Sequence, residues 1–231
     1  MKHLPKPSPI IKDGKLNVQD YKHILWLIFW PIFGIAFYYA ELFYPANFKP
    51  VYCILDDFIP FIEYFYIPYV YWFVFLIGTI AYTFFFDKDN FIRLMKSIIL
   101  TNSAAVIIYL LFPTCQELRP IEFPRDNIFT HLVAAFYTFD TNTNVCPSLH
   151  VLSTLAVLGA RLHTPRFKSV GWRAFNIIAA ILICFSTVFM KQHSIIDLFA
   201  ALPWSILAYV LFFTKKRKKE NINISKNSGL L

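Results

Sequence analysis

Six stretches of this chain are apolar over nearly the length at which a helix crosses a bilayer, and that leaves few folds open. About 20 consecutive apolar residues let a helix span the hydrocarbon core. The stretches run over 22–44, 66–86, 91–112, 147–163, 174–190 and 194–213. A soluble domain sits near 45–50% apolar residues, whereas here the figure is 57%, with 19% aromatic. The expected fold is therefore all-α, a polytopic membrane helix bundle with six transmembrane helices. One membrane domain would cover 22–213, between a polar arm at 1–21 and a basic tail at 214–231. The polar start leads straight into a full-length span without a small-residue cleavage site, so no cleaved signal peptide is expected.

Local signals refine the plan. Pro31 and Gly34 predict a kink in the first span. Residues 45–65 mix Asp56, Asp57 and Glu63 with aromatics and Pro60, as an interfacial segment does. Asp56 and Asp57 could in principle hold a cation, but no further acidic cluster lies beside them, so helix capping or solvation is expected. A charged turn at 87–90 joins the second and third spans. The long loop at 114–146 contains a short interfacial helix near 128–139. Pro147 suits the first turn of the fourth span. That span is short, so Arg161 is expected to snorkel toward water.

The net charge of +8 raises nucleic acid as a partner, and its distribution removes it. With six spans, 18 of the 22 Lys and Arg residues fall on the side of the termini. Positive residues gather on the cytoplasmic side, so both termini are expected there, and the basic groups read as orientation signals and lipid-headgroup contacts. The loop at 114–146 and the stretches at 147–150 and 191–197 then share the outer face. Cys53, Cys115, Cys146 and Cys184 lack CxxC spacing. No metal site is expected, and the thiols are expected free and buried; Cys115 and Cys146 share a face and would pair only if it is oxidising.

The chemistry concentrates in Lys191-Gln192-His193-Ser194-Ile195-Ile196-Asp197. His193 and Asp197, four apart, share one face of a helix. There the carboxylate can accept the Nδ1–H and leave Nε2 free as nucleophile or base. Ionisable groups this close to a membrane core mark a functional site; the other reading is an interfacial cluster that caps a helix. A second polar knot, Pro147-Ser148-Leu149-His150, favours the first. Its helix N-terminus suits an anion, Ser148 can donate its hydroxyl, and His150 can act as acid. Lys191 adds a cation, and Arg119 of Leu118-Arg119-Pro120 has a fork that fits two phosphate oxygens. Such a set can support phosphoryl transfer. Glu117 is either the ion-pair partner of Arg119 or a loop charge. His131 and His163 read as interfacial or solvated.

These elements resemble the type-2 phosphatidic acid phosphatase superfamily, whose pattern is Lys-x6-Arg-Pro, then Pro-Ser-Gly-His, then Ser-Arg-x5-His-x3-Asp. Here Arg119-Pro120 matches the end of the first part, with Phe112 at the lysine. The second reads Pro147-Ser148-Leu149-His150, and the third Ser186-Thr187, then His193 and Asp197 at the family spacing. Leu149 in the glycine place and Lys191-Gln192-His193 resemble the branch that includes inositol phosphorylceramide synthases. The resemblance implies a cofactor-free, metal-independent phosphatase acting on a lipid phosphate or pyrophosphate at the outer face. His193 would be the nucleophile, Asp197 its orienting partner and His150 the acid, with Arg119, Ser148 and Lys191 on the phosphate. The rivals are a transferase that passes a phosphoryl or phospho-alcohol group between lipids, and a non-catalytic lipid-binding or transport protein on the same fold. The Lys-, Ile- and Asn-rich composition points to an A+T-rich genome and a bacterial cytoplasmic membrane.

Overall fold

A computed structural model of the protein describes residues 11–12, 15–16, 20–43 and 48–214. Most of the expected polar arm and the tail from Lys215 onward lie outside the described residues. The chain is mostly helical. A 3-10 segment, Lys22–Ile28, runs into α1, Phe29–Phe43; α2, Leu55–Phe58, is a single turn. Then follow α3 (Tyr66–Phe86), α4 (Lys88–Leu111), α5 (Ile128–Phe139), α6 (Leu149–His163), α7 (Val170–Phe189) and α8 (Ile195–Phe212).

Five of these stretches are long and apolar enough to cross a membrane: Lys22–Leu42, Glu63–Phe86, Lys88–Leu111, Val170–Phe189 and Ile195–Phe212. Their outer faces carry Ile32, Ile35, Ile77, Ile178, Leu182 and Ile206, all exposed. A surface this apolar suits lipid as solvent. The sixth expected span is different. α6 has 15 residues, about 22 Å at 1.5 Å per residue, short of a ~30 Å hydrocarbon core. It is instead the enclosed centre of the bundle, packed against α3, α4, α7 and α8. Small residues allow this approach: Ala156 and Ala160 of α6 meet Ala179 and Ala180 of α7 in one cluster. At Gly159 a Cβ would come within 3.1 Å of the Phe213 ring.

Several expected boundaries move, each for a local reason. The turn at 87–90 shrinks to Asp87, because its carboxylate accepts the Asn90 N–H and starts α4 at Lys88. Pro147 lies outside α6, joined to Cys146 by a cis peptide bond, and Ser148 is the N-cap residue. α7 begins at Val170 because the Ser169 hydroxyl accepts the Trp172 N–H. Pro31 falls in the first turn of α1, just after the change from 3-10 to α geometry.

Arg161 does not snorkel. It is 8% exposed, donating from Nε to Thr79 Oγ1 at 2.6 Å and from Nη1 to Asn176 Oδ1 at 2.8 Å. The Phe75 ring lies 4.3 Å from its guanidinium carbon. It ties α6 to α3 and α7 from inside.

Two short sheets interrupt the all-helical plan. β1 (Ile11–Lys12) pairs antiparallel with β2 (Lys15–Leu16), and β3 (Lys49–Pro50) pairs parallel with β4 (Thr114–Cys115). Beyond β4, the Gln116 N–H donates to Asn142 O at 2.9 Å. Glu41 of α1 accepts from Thr141 Oγ1 at 3.0 Å, Thr143 Oγ1 at 2.5 Å and Asn144 Nδ2 at 2.7 Å. Residues 140–146 are thus laid across the end of the bundle where α6 and α8 begin.

Candidate active site

The connection between α7 and α8 is short and pinned at both ends. α7 stops because Lys191 adopts φ 52°, the left-handed conformation that ends helices and strains a residue other than glycine. The chain reverses there, and the Gln192 and His193 N–H groups both donate to Thr187 O at 3.0 Å. Ser194 and Asp197 then open α8 with a capping box. Asp197 Oδ2 accepts both the Ser194 N–H and the His193 Nδ1–H, each at 3.1 Å. One carboxylate oxygen therefore caps the helix and orients the imidazole, which is 9% exposed. With Nδ1–H committed, Nε2 is the free lone pair.

The Pro147–His150 knot meets the Lys191–Asp197 stretch directly. The Ser148 N–H donates to Asp197 O at 3.2 Å, and Tyr109 of α4 donates its hydroxyl to Pro147 O at 2.5 Å. The His150 ring lies between Tyr69 and Trp72, at centroid distances of 4.4 and 4.3 Å, and 6.3 Å from the His193 ring. Its Nε2 is buried without a hydrogen-bond partner among the described residues. Both imidazoles line a cavity of about 220 Å³, whose wall also includes Tyr69, Trp72, Asp140 and Gln192.

The structure brings together His150, His193 and Asp197. It does not bring the three expected phosphate ligands to the cavity wall. Arg119 donates from Nη2 to Gln192 Oε1 at 2.6 Å and to Asp140 O at 2.7 Å, and from Nη1 to Tyr137 O at 3.1 Å. Its guanidinium fastens the 137–141 segment to the residue before His193. Desolvation lowers its pKa. Glu117 is exposed. Lys191 donates Nζ to Asp56 O at 2.8 Å, and burial lowers its pKa, with Asp56 and Asp57 pulling the other way. The Ser148 hydroxyl is buried without a hydrogen-bond partner among the described residues, and Ser148 is not one of the residues lining the cavity.

The sequence reading missed four contributors. Trp72 Nε1 and Gln192 Nε2 are buried donors on wall residues, without partners among the described residues. Asp140 lines the cavity and accepts the Tyr69 hydroxyl on Oδ2 at 2.9 Å; burial raises its pKa above the ordinary carboxylate range. Glu41 holds the rim. No short motif marks Trp72, Asp140 or Glu41, although Glu41 is an acidic residue inside an otherwise apolar first span; Gln192 lies within Lys191-Gln192-His193 but carries no role of its own there.

The remaining expectations resolve simply. Asp56 caps α8, as detailed below. All four cysteines are free, but only Cys115 is buried, the other three being half-buried; burial, then the Asp197 carboxylate, pushes the Cys146 thiol up to about 12. His131 is exposed and meets Asp126 at 2.7 Å. His163, at the last position of α6, is half-buried, donates Nδ1–H to Gly159 O at 2.8 Å and does not line the cavity.

Comparison with protein-family models, curated proteins and solved structures finds no match. The functional reading therefore rests on the motif residues and their geometry. Chemically, the site offers an oriented nucleophilic nitrogen facing a second imidazole across a cavity large enough for a headgroup.

Proposed function

We propose that the chain is a metal-independent phosphatase of the type-2 phosphatidic acid phosphatase kind, hydrolysing a membrane lipid phosphate or pyrophosphate. The observation that carries this reading is the His193–Asp197 pair held across one cavity from His150. His193 Nε2 attacks phosphorus, and the bond to the lipid oxygen breaks as His150 supplies its proton. Water, deprotonated by His150, then attacks the phosphohistidine, releasing phosphate and restoring His193. Neutral donors at Trp72 Nε1 and Gln192 Nε2, with the first N–H groups and dipole of α6, support the phosphate oxygens. Arg119 and Lys191 act in this state by holding the walls.

The same reading takes α6 as a sixth, short crossing. Four neighbouring helices enclose it, so its non-helical ends need not meet lipid. An even number of crossings puts both termini in the cytoplasm and the site at the outer face of a bacterial cytoplasmic membrane, as the basic residues favour.

A transferase is the second reading. The apolar residues Phe37 and Phe73 stand on the same wall as the imidazoles, which favours admitting a lipid alcohol as acceptor in place of water. The test is phosphorus release by the purified protein, in EDTA, from phosphatidate, a phosphodiester lipid and a polyprenyl pyrophosphate. Release that His193→Ala abolishes supports the hydrolase. Product that keeps the donor's phosphorus on an added lipid alcohol selects the transferase. Unchanged cellular function with His193→Ala leaves only a lipid-binding role.

A further inference from the structure

The cavity and a second, wholly apolar groove share two side chains. Trp72 and Phe73 of α3 line the cavity that holds both imidazoles, and both also line a groove of about 410 Å³. The rest of the groove is Leu27 and Trp30 on the first span and Leu76, Ile77 and Ile80 on α3. Positions 72, 73, 76, 77 and 80 lie on one face of a helix. On the first span the order runs the other way: Phe37 lines the cavity, and Trp30 and Leu27 line the groove. The groove therefore leads away from the cavity between two antiparallel helices. It exists because α1 and α3 have little direct packing. Both lean on α4 instead, and α3 packs further against α6 and α7. Leu76 is buried at the floor of the cleft, while Ile77 is exposed at its edge.

We infer that the cleft between α1 and α3 seats one hydrocarbon chain of the lipid substrate, with Ile77 and Ile80 contacting only chains long enough to reach them. This rests on the reading above, in which the phosphate lies between His150 and His193. Headgroup and chain are covalently joined, so the chain of such a lipid leaves the cavity past Trp72 and Phe73, where the groove begins. From Trp72 to Ile80 the helix rises about 12 Å. That is most of the ~15 Å available to a chain in one leaflet of a ~30 Å hydrocarbon core. With one line of residues on each helix, the groove takes a single chain. The chain passes from lipid to an equally apolar protein surface, so the gain comes from packing rather than from escape from water. It shows as a preference among chains.

Two measurements test this. The first compares hydrolysis of lysophosphatidate with a butyryl or a palmitoyl chain in mixed micelles. A butyryl chain ends before Ile77, and a palmitoyl chain passes it. Ile77→Trp fills the cleft and is expected to lower the palmitoyl-to-butyryl ratio of kcat/KM at least fivefold. Val74→Trp, at an exposed position of α3 outside the groove, keeps the parent ratio. Partition into micelles is common to all three proteins and cancels. A ratio that Ile77→Trp and Val74→Trp leave alike overturns the inference. The second measurement needs no turnover. The full chain is irradiated with the phosphonate analogue of palmitoyl lysophosphatidate, whose carbon–phosphorus bond resists hydrolysis, carrying a diazirine midway along the chain. Label is expected on Leu27, Trp30, Ile77 or Ile80, and excess unlabelled phosphonate displaces it. Label that is not displaced, or that falls equally on Ile178 and Leu182, marks contact with bulk lipid and overturns the inference. Displaceable label in the cleft without phosphate release from any lipid keeps the chain seat and removes the hydrolase reading. Release that depends on His193, without such label, does the reverse.

Discussion

Asp56 and Ser194, 138 positions apart, meet at 2.6 Å, the serine hydroxyl donating to Asp56 Oδ2. The Cys53 N–H donates to the same oxygen at 2.9 Å, and the Ile195 N–H donates to Oδ1 at 2.8 Å. Asp56 is 2% exposed. A carboxylate from the interfacial segment thus supplies the negative group that the N-terminus of α8 favours. Because Ser194 follows His193, the same contact fixes the His193 backbone in place.

Asp56→Ala removes that cap and strands three donors, the buried Ser194 hydroxyl and the half-buried Cys53 and Ile195 N–H groups. The expected loss is about 2 kcal/mol or more of stability, seen as a lower melting temperature in detergent, with turnover falling as His193 loses its fixed position. Asp56→Asn, which can still accept, recovers most of the stability.

Asp197→Asn separates orientation from capping. The amide oxygen can still accept the Ser194 N–H, so melting changes little. The His193 tautomer is no longer enforced, and kcat is expected to fall by about 10²–10⁴-fold, the range of a lost acid–base contribution. If His193 is the nucleophile and His150 the acid, rate against pH in the parent protein is bell-shaped; a rate still climbing at pH 9 contradicts those roles.

Arg161→Ala leaves Thr79 and Asn176 without their buried donor. A cost of about 1–3 kcal/mol follows from the unsatisfied groups. Arg161→Lys restores little, because an ammonium lacks the fork that reaches both partners. Chemical denaturation of the two variants measures this.

Which of these features the sequence reveals depends on how local their cause is. Five spans and the α5 helix are legible because apolar run length and end signals act within about 20 residues. The His193–Asp197 contact is legible for the same reason: four residues on one helix face fix it. Arg161 misleads because α6 is short, and a short span usually lets its end charge reach water. Here α3, α4, α7 and α8 surround it. Asp56 on Ser194, Glu41 on the 141–144 segment and Asp140 on Tyr69 are pairings across long stretches of chain, without any periodic signal. Arg119 matches its motif, and its position gives no warning that carbonyl groups and Gln192 take up its fork.

The pH dependence of stability has a definite sign at Asp140. Burial raises its carboxyl above the usual range, outweighing Tyr69, His193 and Arg119, which pull the other way. A carboxyl raised by folding contributes stability at low pH, fully below its unfolded value of about 3.9, and loses it as pH rises through the folded value. Asp140→Asn stays neutral throughout. Its melting temperature relative to the parent is expected to rise as pH increases above the unfolded value. A difference in melting temperature that does not change with pH contradicts the assignment.

The most direct measurement for the central claim is rapid alkaline quenching of the protein with a lipid substrate labelled at phosphorus, followed by peptide mapping at alkaline pH. The account predicts label on His193 that is stable to alkali and labile to acid, absent in His193→Ala, and formed in the presence of EDTA. Turnover without any label on His193, or label that persists in His193→Ala, would contradict it.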